Sequence, residues 1–330
     1  MEWMLYTVIA TALVFDFTNG FHDAANAIAT SISTRVMSVN TALTLAAILN
    51  VAGGMLSTKV AMTIATGIVV PSTVSLPIVL AGLLGAIFWN LLTWYFGIPS
   101  SSSHCLVGGI AGAVIVNYGP EGVLWLRILK QVVIPTVVSP ILGFLAGMVF
   151  TWGINWFFRS ERPGPMNKKF KRAQVLSAGF MALSHGLNDA QKTMGVITLA
   201  LFITGSISTA TVPLWVKLAC SLAIGLGTFA GGKKIIRTLG MRLFKMTVSD
   251  GFAAQTASGL VMQAAAWVGA PISTTHVAAA TIMGVGSSYR LSAVRWGMTR
   301  KIVVAWILTL PASALAGGFM VWIFSKFWLH

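Results

Sequence analysis

Apolar residues run along this chain in long blocks, without the alternation of apolar and polar positions that a strand exposed on one side would show. The blocks lie at 4–32, 41–56, 76–96, 106–118, 137–158, 174–203, 212–230, 248–267, 277–285 and 302–324. A helix needs about 20 apolar residues to cross a bilayer, whereas a transmembrane barrel is written with a two-residue period. The pattern predicts an all-α integral membrane protein with about 10 membrane segments. Shorter apolar pieces at 61–70 and 123–134 are expected to be re-entrant or interfacial. The block 106–118 is too short to span and is expected to be a half-helix opening at mid-membrane, so broken or re-entrant helices are predicted at the centre.

Composition agrees with this solvent. Hydrophobic residues make up 56% of the 330 positions and charged ones only 9%, against about 25% charged in a soluble domain. The net charge of +15 does not indicate a nucleic-acid partner, because the basic residues fall mainly in short segments between apolar blocks, where the positive-inside rule puts them on the cytoplasmic face. Met1-Glu2-Trp3 has no basic leader and no small-residue cleavage signal, so the first block is read as a retained helix. Cys105 and Cys220 lie inside apolar blocks without metal-ligand spacing and are expected to be free thiols. Neither a metal nor a cofactor is expected.

Two motifs recur in order. Gly20-Phe21-His22-Asp23-Ala24 is matched by Gly186-Leu187-Asn188-Asp189-Ala190, 166 residues later. Pro99, Ser100 to Ser103 and His104 are matched by Pro271, Ile272, Ser273, Thr274, Thr275 and His276, 172 residues later. Matching order and near-constant spacing argue for internal duplication. Residues 1–158 hold four Lys or Arg (Arg35, Lys59, Arg127, Lys130), while 233–245 and 290–301 are strongly basic. Corresponding loops of opposite basicity predict repeats of inverted topology, 1–158 and 174–330, joined by a basic cytoplasmic linker at 159–173.

The polar residues inside the blocks carry the candidate chemistry. Asp23 and Asp189 sit near the middle of runs of about 30 residues, where an ionised side chain costs at least about 2.5–3.5 kcal/mol and faces a cavity or a partner. Asn26 and Lys192 each follow their aspartate by three residues, on the same helix face. Asp23 and Asn26 offer oxygen ligands suited to a hard cation, while Asp189 and Lys192 offer a carboxylate beside an ammonium. Proline followed by Ser101, Ser102 and Ser103, or by Ser273, Thr274 and Thr275, is the start of a helix whose free N–H groups face a hydroxyl cluster. Two such N-termini would hold a tetrahedral oxyanion between them. His22 beside Asp23 is a proton-carrier candidate. An intramembrane hydrolase using Ser103 and His104 is disfavoured, since adjacent helix residues point about 100° apart.

These motifs resemble the inorganic phosphate transporter family, marked by two copies of a Gly-x-Asn-Asp-x-x-Asn signature. Here the copies read GFHDAAN (Gly20 to Asn26) and GLNDAQK (Gly186 to Lys192), and IPSSSSH and APISTTH resemble the family's paired re-entrant regions. The resemblance implies a secondary transporter of phosphate, a homodimer, and a substrate site of Asp23, Asn26, Ser101, Ser102, Ser103, Asn188, Asp189, Lys192, Ser273, Thr274 and Thr275. Candidate coupling-ion residues are His22, Asp23, Asn26 and Asp189. His22 and Lys192 stand where the family usually has asparagine, forms that resemble the bacterial low-affinity branch, which is associated with proton-coupled or metal-phosphate uptake across the cytoplasmic membrane. Lys192 puts a fixed positive charge where a cation ligand would sit. Proton coupling is therefore expected, with one sodium at Asp23 and Asn26 the open alternative, and a sulfate carrier of the same architecture the alternative for substrate. No enzymatic activity is expected.

Overall fold

A computed structural model describes residues 2–327. Its helices are α1 (Glu2–Ser33), α2 (Val39–Gly54), α3 (Lys59–Gly67), α4 (Leu76–Phe96), α5 (Ser102–Asn117), α6 (Trp125–Ile128), α7 (Ile134–Phe157), α8 (Pro163–Ile203), α9 (Leu214–Ala230), α10 (Lys233–Arg237), α11 (Val248–Trp267), α12 (Thr274–Tyr289) and α13 (Trp296–Phe327). Among the described residues there is no strand, only an isolated bridge between Val69 and Val123.

Local chemistry sets the boundaries. Ser38 caps α2 by accepting from the Thr41 N–H, and Thr247 and Asp250 form a reciprocal capping box at α11. α4 ends at Gly97, whose φ of 65° is a left-handed conformation that glycine adopts without strain. Helix is already formed within the region expected to be a basic linker: α8 begins at Pro163 and runs 41 residues. Proline is pre-organised for a first helical turn, and the Lys- and Arg-rich residues behind it are good helix formers. The piece at 123–134 is also not separate. Trp125 to Phe157 is one 33-residue stretch with a wide, π-type turn at Leu129–Val133.

Four stretches are long and apolar enough to cross a bilayer, Glu2–Ser33, Leu76–Phe96, Trp125–Phe157 and Trp296–Lys326. Two bent pairs, α2 with α3 at 69° and α9 with Lys234–Arg242 at 66°, raise the number to six. The difference from about ten has a physical source. α5 and α12 have 16 residues each, and α8 and α11 carry the polar side chains of the interior, which lowers their hydropathy.

Exposure is inverted relative to a soluble protein. Val137, Ile141, Leu145, Val149 and Trp152 of α7 are exposed, as are Ile307, Leu315 and Phe319 of α13. His22, Asp23, His185, Asp189 and Lys192 are buried. Water would not tolerate so extensive an apolar surface; lipid does. Cys105 and Cys220 are buried free thiols.

Helices interlock across the chain. α5 packs against α13 and α4, and α12 packs against α7 and α11. α1 lies against α9 and α8, and α2 against α8 and α9. Details recur as well: Trp125 Nε1 donates to the Pro120 carbonyl and Trp296 Nε1 to the Leu291 carbonyl, both at 2.7 Å. The N–H groups of Leu124 and Arg295 donate to the Ile68 and Leu243 carbonyls, both at 3.0 Å.

Close approach at α5 and α12 depends on glycine. A Cβ on Gly112 would strike the backbone of Ala314, and one on Gly284 would strike the backbone of Phe144. Without a hydrophobic drive between helices in lipid, such small-residue contacts carry association. Gly112→Leu and Gly284→Leu are each expected to cost about 1–3 kcal/mol or more through overpacking, read as a lower thermal midpoint of the detergent-purified protein. Gly153→Leu, at a position where a Cβ meets nothing within 4 Å, is expected to leave it unchanged.

Candidate functional site

The centre is assembled from four elements: the middles of α1 and α8, and the N-termini of α5 and α12. Ser101 caps α5 by accepting from the His104 N–H, and Ser273 caps α12 by accepting from the His276 N–H, both at 3.3 Å. The first N–H groups of each helix have no intrahelical acceptor. The two N-termini are neighbours, with the His104 and His276 rings 5.1 Å apart.

Around Asp23 the donors are complete. His22 Nδ1 lies 2.7 Å from Oδ1, Thr275 donates to Oδ1 at 3.0 Å and Ser102 donates to Oδ2 at 2.8 Å. Asn26 reaches across to the hydroxyls of Thr275 (2.9 Å) and Thr274 (3.4 Å). The other ring nitrogen of His22 faces Thr93 at 3.2 Å and Ser100 at 3.3 Å.

Asp189 is held differently. Lys192 Nζ donates to Oδ1 at 2.6 Å and Thr274 to Oδ2 at 3.2 Å, and both charged groups are buried. A one-sided burial of either charge would cost several kcal/mol, so each depends on the other. His185 Nε2 stands 3.3 Å from Oδ2. Its tautomer follows from a relay. Thr228 donates to the Ile224 carbonyl at 2.8 Å, so it accepts from Asn50 Nδ2 at 2.8 Å. That leaves Asn50 Oδ1 as acceptor for His185 Nδ1 at 3.2 Å and turns Nε2 toward the carboxylate.

The candidate residues are thus mostly brought together. Asp23, Asn26, Ser102, Thr274, Thr275, Asp189 and Lys192 form one connected network, and His22 joins it through Asp23. Ser101 and Ser273 act as caps. Ser103 instead donates to the Ile272 carbonyl at 3.0 Å, tying the two loop tips together. Asn188 donates to the Ser184 and Met262 carbonyls at 3.0 and 2.9 Å, tying α8 to α11. Thr93 and Asn50 join this centre without having been singled out, while His185 enters it with the motif that begins at Gly186. Their signal, a polar residue inside an apolar helix, is shared with many satisfied side chains.

Ligand atoms of Asp23, His185 and Asp189 lie within 4.8 Å of one another, close enough to surround one cation. Here the Lys192 ammonium supplies positive charge to the same carboxylate, so a cation would compete with it.

Polar groups gathered inside an all-helical, lipid-facing shell, where broken helices meet, define a polytopic membrane protein of the transporter class. Comparisons with known proteins give the family. A model described as the Phosphate transporter family matches residues 19–169 and again 159–317, and the chain belongs to that family. A Rhizobium meliloti protein named "Probable low-affinity inorganic phosphate transporter" is 45% identical over 314 residues, 94% of each chain. A Bacillus subtilis protein of the same name is 42% identical over 315 residues, again 94% of each. A Mycobacterium tuberculosis relative of that name is 46% identical over 319 residues, covering 96% of this chain and 76% of its own. A solved structure described as "The sodium-dependent phosphate transporter" superposes with a TM-score of 0.88 at 26% identity, covering 99% of this chain and all of the other. These are transporters, not enzymes.

Lys192→Ala strands the buried Asp189 carboxylate and is expected to cost roughly 3–5 kcal/mol. The double variant Lys192→Ala/Asp189→Ala is expected to recover most of that loss, measured as a thermal midpoint in detergent. A double variant no more stable than the single one would show that the pair is not energetically coupled.

Proposed function

We propose that the protein is a secondary carrier of inorganic phosphate that works by alternating access around this buried network and is driven by protons. The observation that carries the reading is the meeting of two capped helix N-termini, with their hydroxyls, at two carboxylates and one buried ammonium. N–H groups at the starts of α5 and α12, the hydroxyls of Ser101 to Ser103 and Ser273 to Thr275, and Lys192 supply positive ends for a tetrahedral oxyanion. Asn26 and Asn188 add amide groups at its edge, Asn188 by releasing its carbonyl bonds. Asp23 and Asp189 would repel a bare anion, but each can accept a hydrogen bond from a phosphate O–H. Sulfate lacks that proton at neutral pH and would leave the carboxylate unpaired. The relatives' names favour phosphate in the same direction.

Coupling follows from what fills the ion positions. The structural neighbour is named as sodium-dependent, at 26% identity. In this chain His22 and Lys192, each in contact with an aspartate, already place ionisable nitrogens beside both carboxylates. Ionisable groups at His22, Asp23 and Asp189, with the Asn26 amide as a hydrogen-bonding neighbour, fit proton coupling better than a second sodium.

The topology belongs to the same reading. We take 1–158 and 174–330 as inverted repeats, with α5, α8, α11 and α12 completing about ten membrane segments and the basic loops facing the cytoplasm, in the cell's inner membrane. Support comes from the recurring tryptophan and backbone hydrogen bonds and from helices that pack on the opposite half. The homodimer and the metal-phosphate complex implied by the family resemblance go with it.

Radiolabelled phosphate uptake into proteoliposomes tests the reading under imposed proton or sodium gradients, with and without Mg²⁺ and with excess sulfate. Accumulation on a proton gradient without sodium, resistant to sulfate, is expected. Asp23→Asn and Asp189→Asn are each expected to abolish uptake while the protein still elutes as a folded species. Wild-type uptake from either variant would remove the carboxylates from the mechanism, and strict sodium dependence would remove the proton.

A further inference from the structure

Two turns before Asp23, on the same face of α1, stands another carboxylate that the site described above does not use. Residues 16, 19, 23 and 26 follow one another at helical spacing, so Asp16 and Asn19 repeat the Asp23–Asn26 pair roughly 10 Å along the helix. Asp16, Asn19 and Thr193 of α8 are all fully buried. Asn19 and Thr193 flank the Asp16 carboxylate, with Asp189 and Lys192 of α8 within electrostatic reach, and α9 brings Cys220 to the same place.

Among the described residues, Asp189 and Lys192 are the charged groups that bear on Asp16; Lys217 of α9 and Arg237 of α10 are not among them. α2 and α4 contain no Asp, Glu, His, Lys or Arg. Lys234 of α10 is engaged with the Tyr95 carbonyl, Asp250 of α11 with Thr247 and Tyr289, and His276 of α12 with the Trp306 ring.

What sets Asp16 apart is that no charged donor is bonded to it. Among the described residues neither of its oxygens has a partner at full hydrogen-bond geometry, and the groups beside it, the Asn19 amide and the Thr193 hydroxyl, are neutral and otherwise unpartnered, free to donate to a carboxylate or to accept from an acid. Asp23 accepts from His22, Thr275 and Ser102, and Asp189 from Lys192 and Thr274. A buried carboxylate with only neutral neighbours at hand is far costlier as an anion than as an acid. A proton on Asp16 would also convert it into a donor, matched to the free acceptors of Asn19 and Thr193.

Charge counting points the same way. Three carboxylates, Asp16, Asp23 and Asp189, lie near a single lysine, Lys192, so an arriving anion meets carboxylate charge there. Loading phosphate there requires that some of this charge be cancelled.

We propose that Asp16, flanked by Asn19 and Thr193, is the binding site of the coupling proton, two helical turns from the phosphate site. The proposal rests on the proton-coupled reading above. An O–H bond forms on Asp16 with a proton from the side of higher proton concentration. It breaks when the proton passes to the other side, and no other bond changes. The free carboxylate repels phosphate, and the neutral acid admits it, so binding of the two is linked.

Asp16→Asn imitates the permanently loaded carrier. In proteoliposomes it is expected to lose accumulation driven by a proton gradient by at least about tenfold while still exchanging internal for external phosphate. Asp16→Glu is expected to accumulate phosphate with a displaced pH profile. Wild-type protein gives an independent readout: dicyclohexylcarbodiimide, which attacks protonated carboxyls in apolar surroundings, is expected to label Asp16 and to spare Asp23 and Asp189, as mapped by fragment mass spectrometry. Gradient-driven accumulation by Asp16→Asn equal to wild type overturns the assignment, as does labelling of Asp23 or Asp189 with Asp16 unlabelled. If Asp16→Asn does not fold, the labelling pattern decides. Wild-type liposomes that accumulate phosphate on sodium and not on protons overturn the proton reading itself, an outcome visible before any variant is made.

Discussion

A carboxylate at mid-membrane has to be met by donors, and the architecture of this protein is organised around that requirement. Asp189 is met by an ammonium at 2.6 Å, and Asp23 by an imidazole and two hydroxyls. Those donors come from different parts of the chain: Thr275 lies 252 positions from Asp23 and Thr274 85 from Asp189. Partnering the two acids is therefore the same event as bringing α1, α5, α8 and α12 together. Breaking a buried pair from one side leaves an uncompensated charge, so the polar centre specifies tertiary structure as well as chemistry.

Broken helices follow from the same demand. A continuous helix consumes its own N–H groups and offers an anion nothing from the backbone. Starting α5 at Ser102 and α12 at Thr274 leaves first-turn donors free at the depth of the carboxylates. The loops before them are polar backbone inside a membrane protein, tolerable only where they are enclosed. Ser103 on the Ile272 carbonyl and the two serine caps enclose them. Glycine permits the close approach that seals the outside, with Gly112 against Ala314 and Gly284 against Phe144.

Much of this was legible in the sequence, for physical reasons. An aspartate in a 30-residue apolar run is conspicuous because water is its usual solvent, and proline before hydroxyls marks a helix start wherever it occurs. Asp23, Asp189, Ser102, Thr274 and Thr275 were visible on those grounds, and Lys192 through its spacing from Asp189. Ser103 and Asn188 share the same motifs, yet they bond to backbone carbonyls. A motif gives a residue's neighbourhood, and rotamer and packing decide its partner. Thr93 and Asn50 were silent because one polar residue in an apolar helix usually serves its own backbone. The helical start of α8 was hidden because basic residues read equally as loop or as helix. Asp16 was legible in principle, since it repeats Asp23 at heptad spacing. Its significance depends on finding only neutral side chains, Asn19 and Thr193, beside a buried carboxylate, which only three-dimensional packing reveals.

The two halves of the centre are related without being equal, and the inequality bears on mechanism. Asn26 and Lys192 occupy matching positions in the two signatures, but Asn26 spans to Thr274 and Thr275 while Lys192 folds back onto Asp189. Two identical half-sites would bind two identical ions and respond to them equally. Here one carboxylate is paired with a covalently tethered amine that cannot leave with the substrate. On the proton-coupled reading, the charge that varies through a cycle is then carried by other groups. His22 beside Asp23 is one, and the unpartnered Asp16 is another. A carrier that keeps one fixed counter-charge and exchanges the others has fewer ions to transport with each anion.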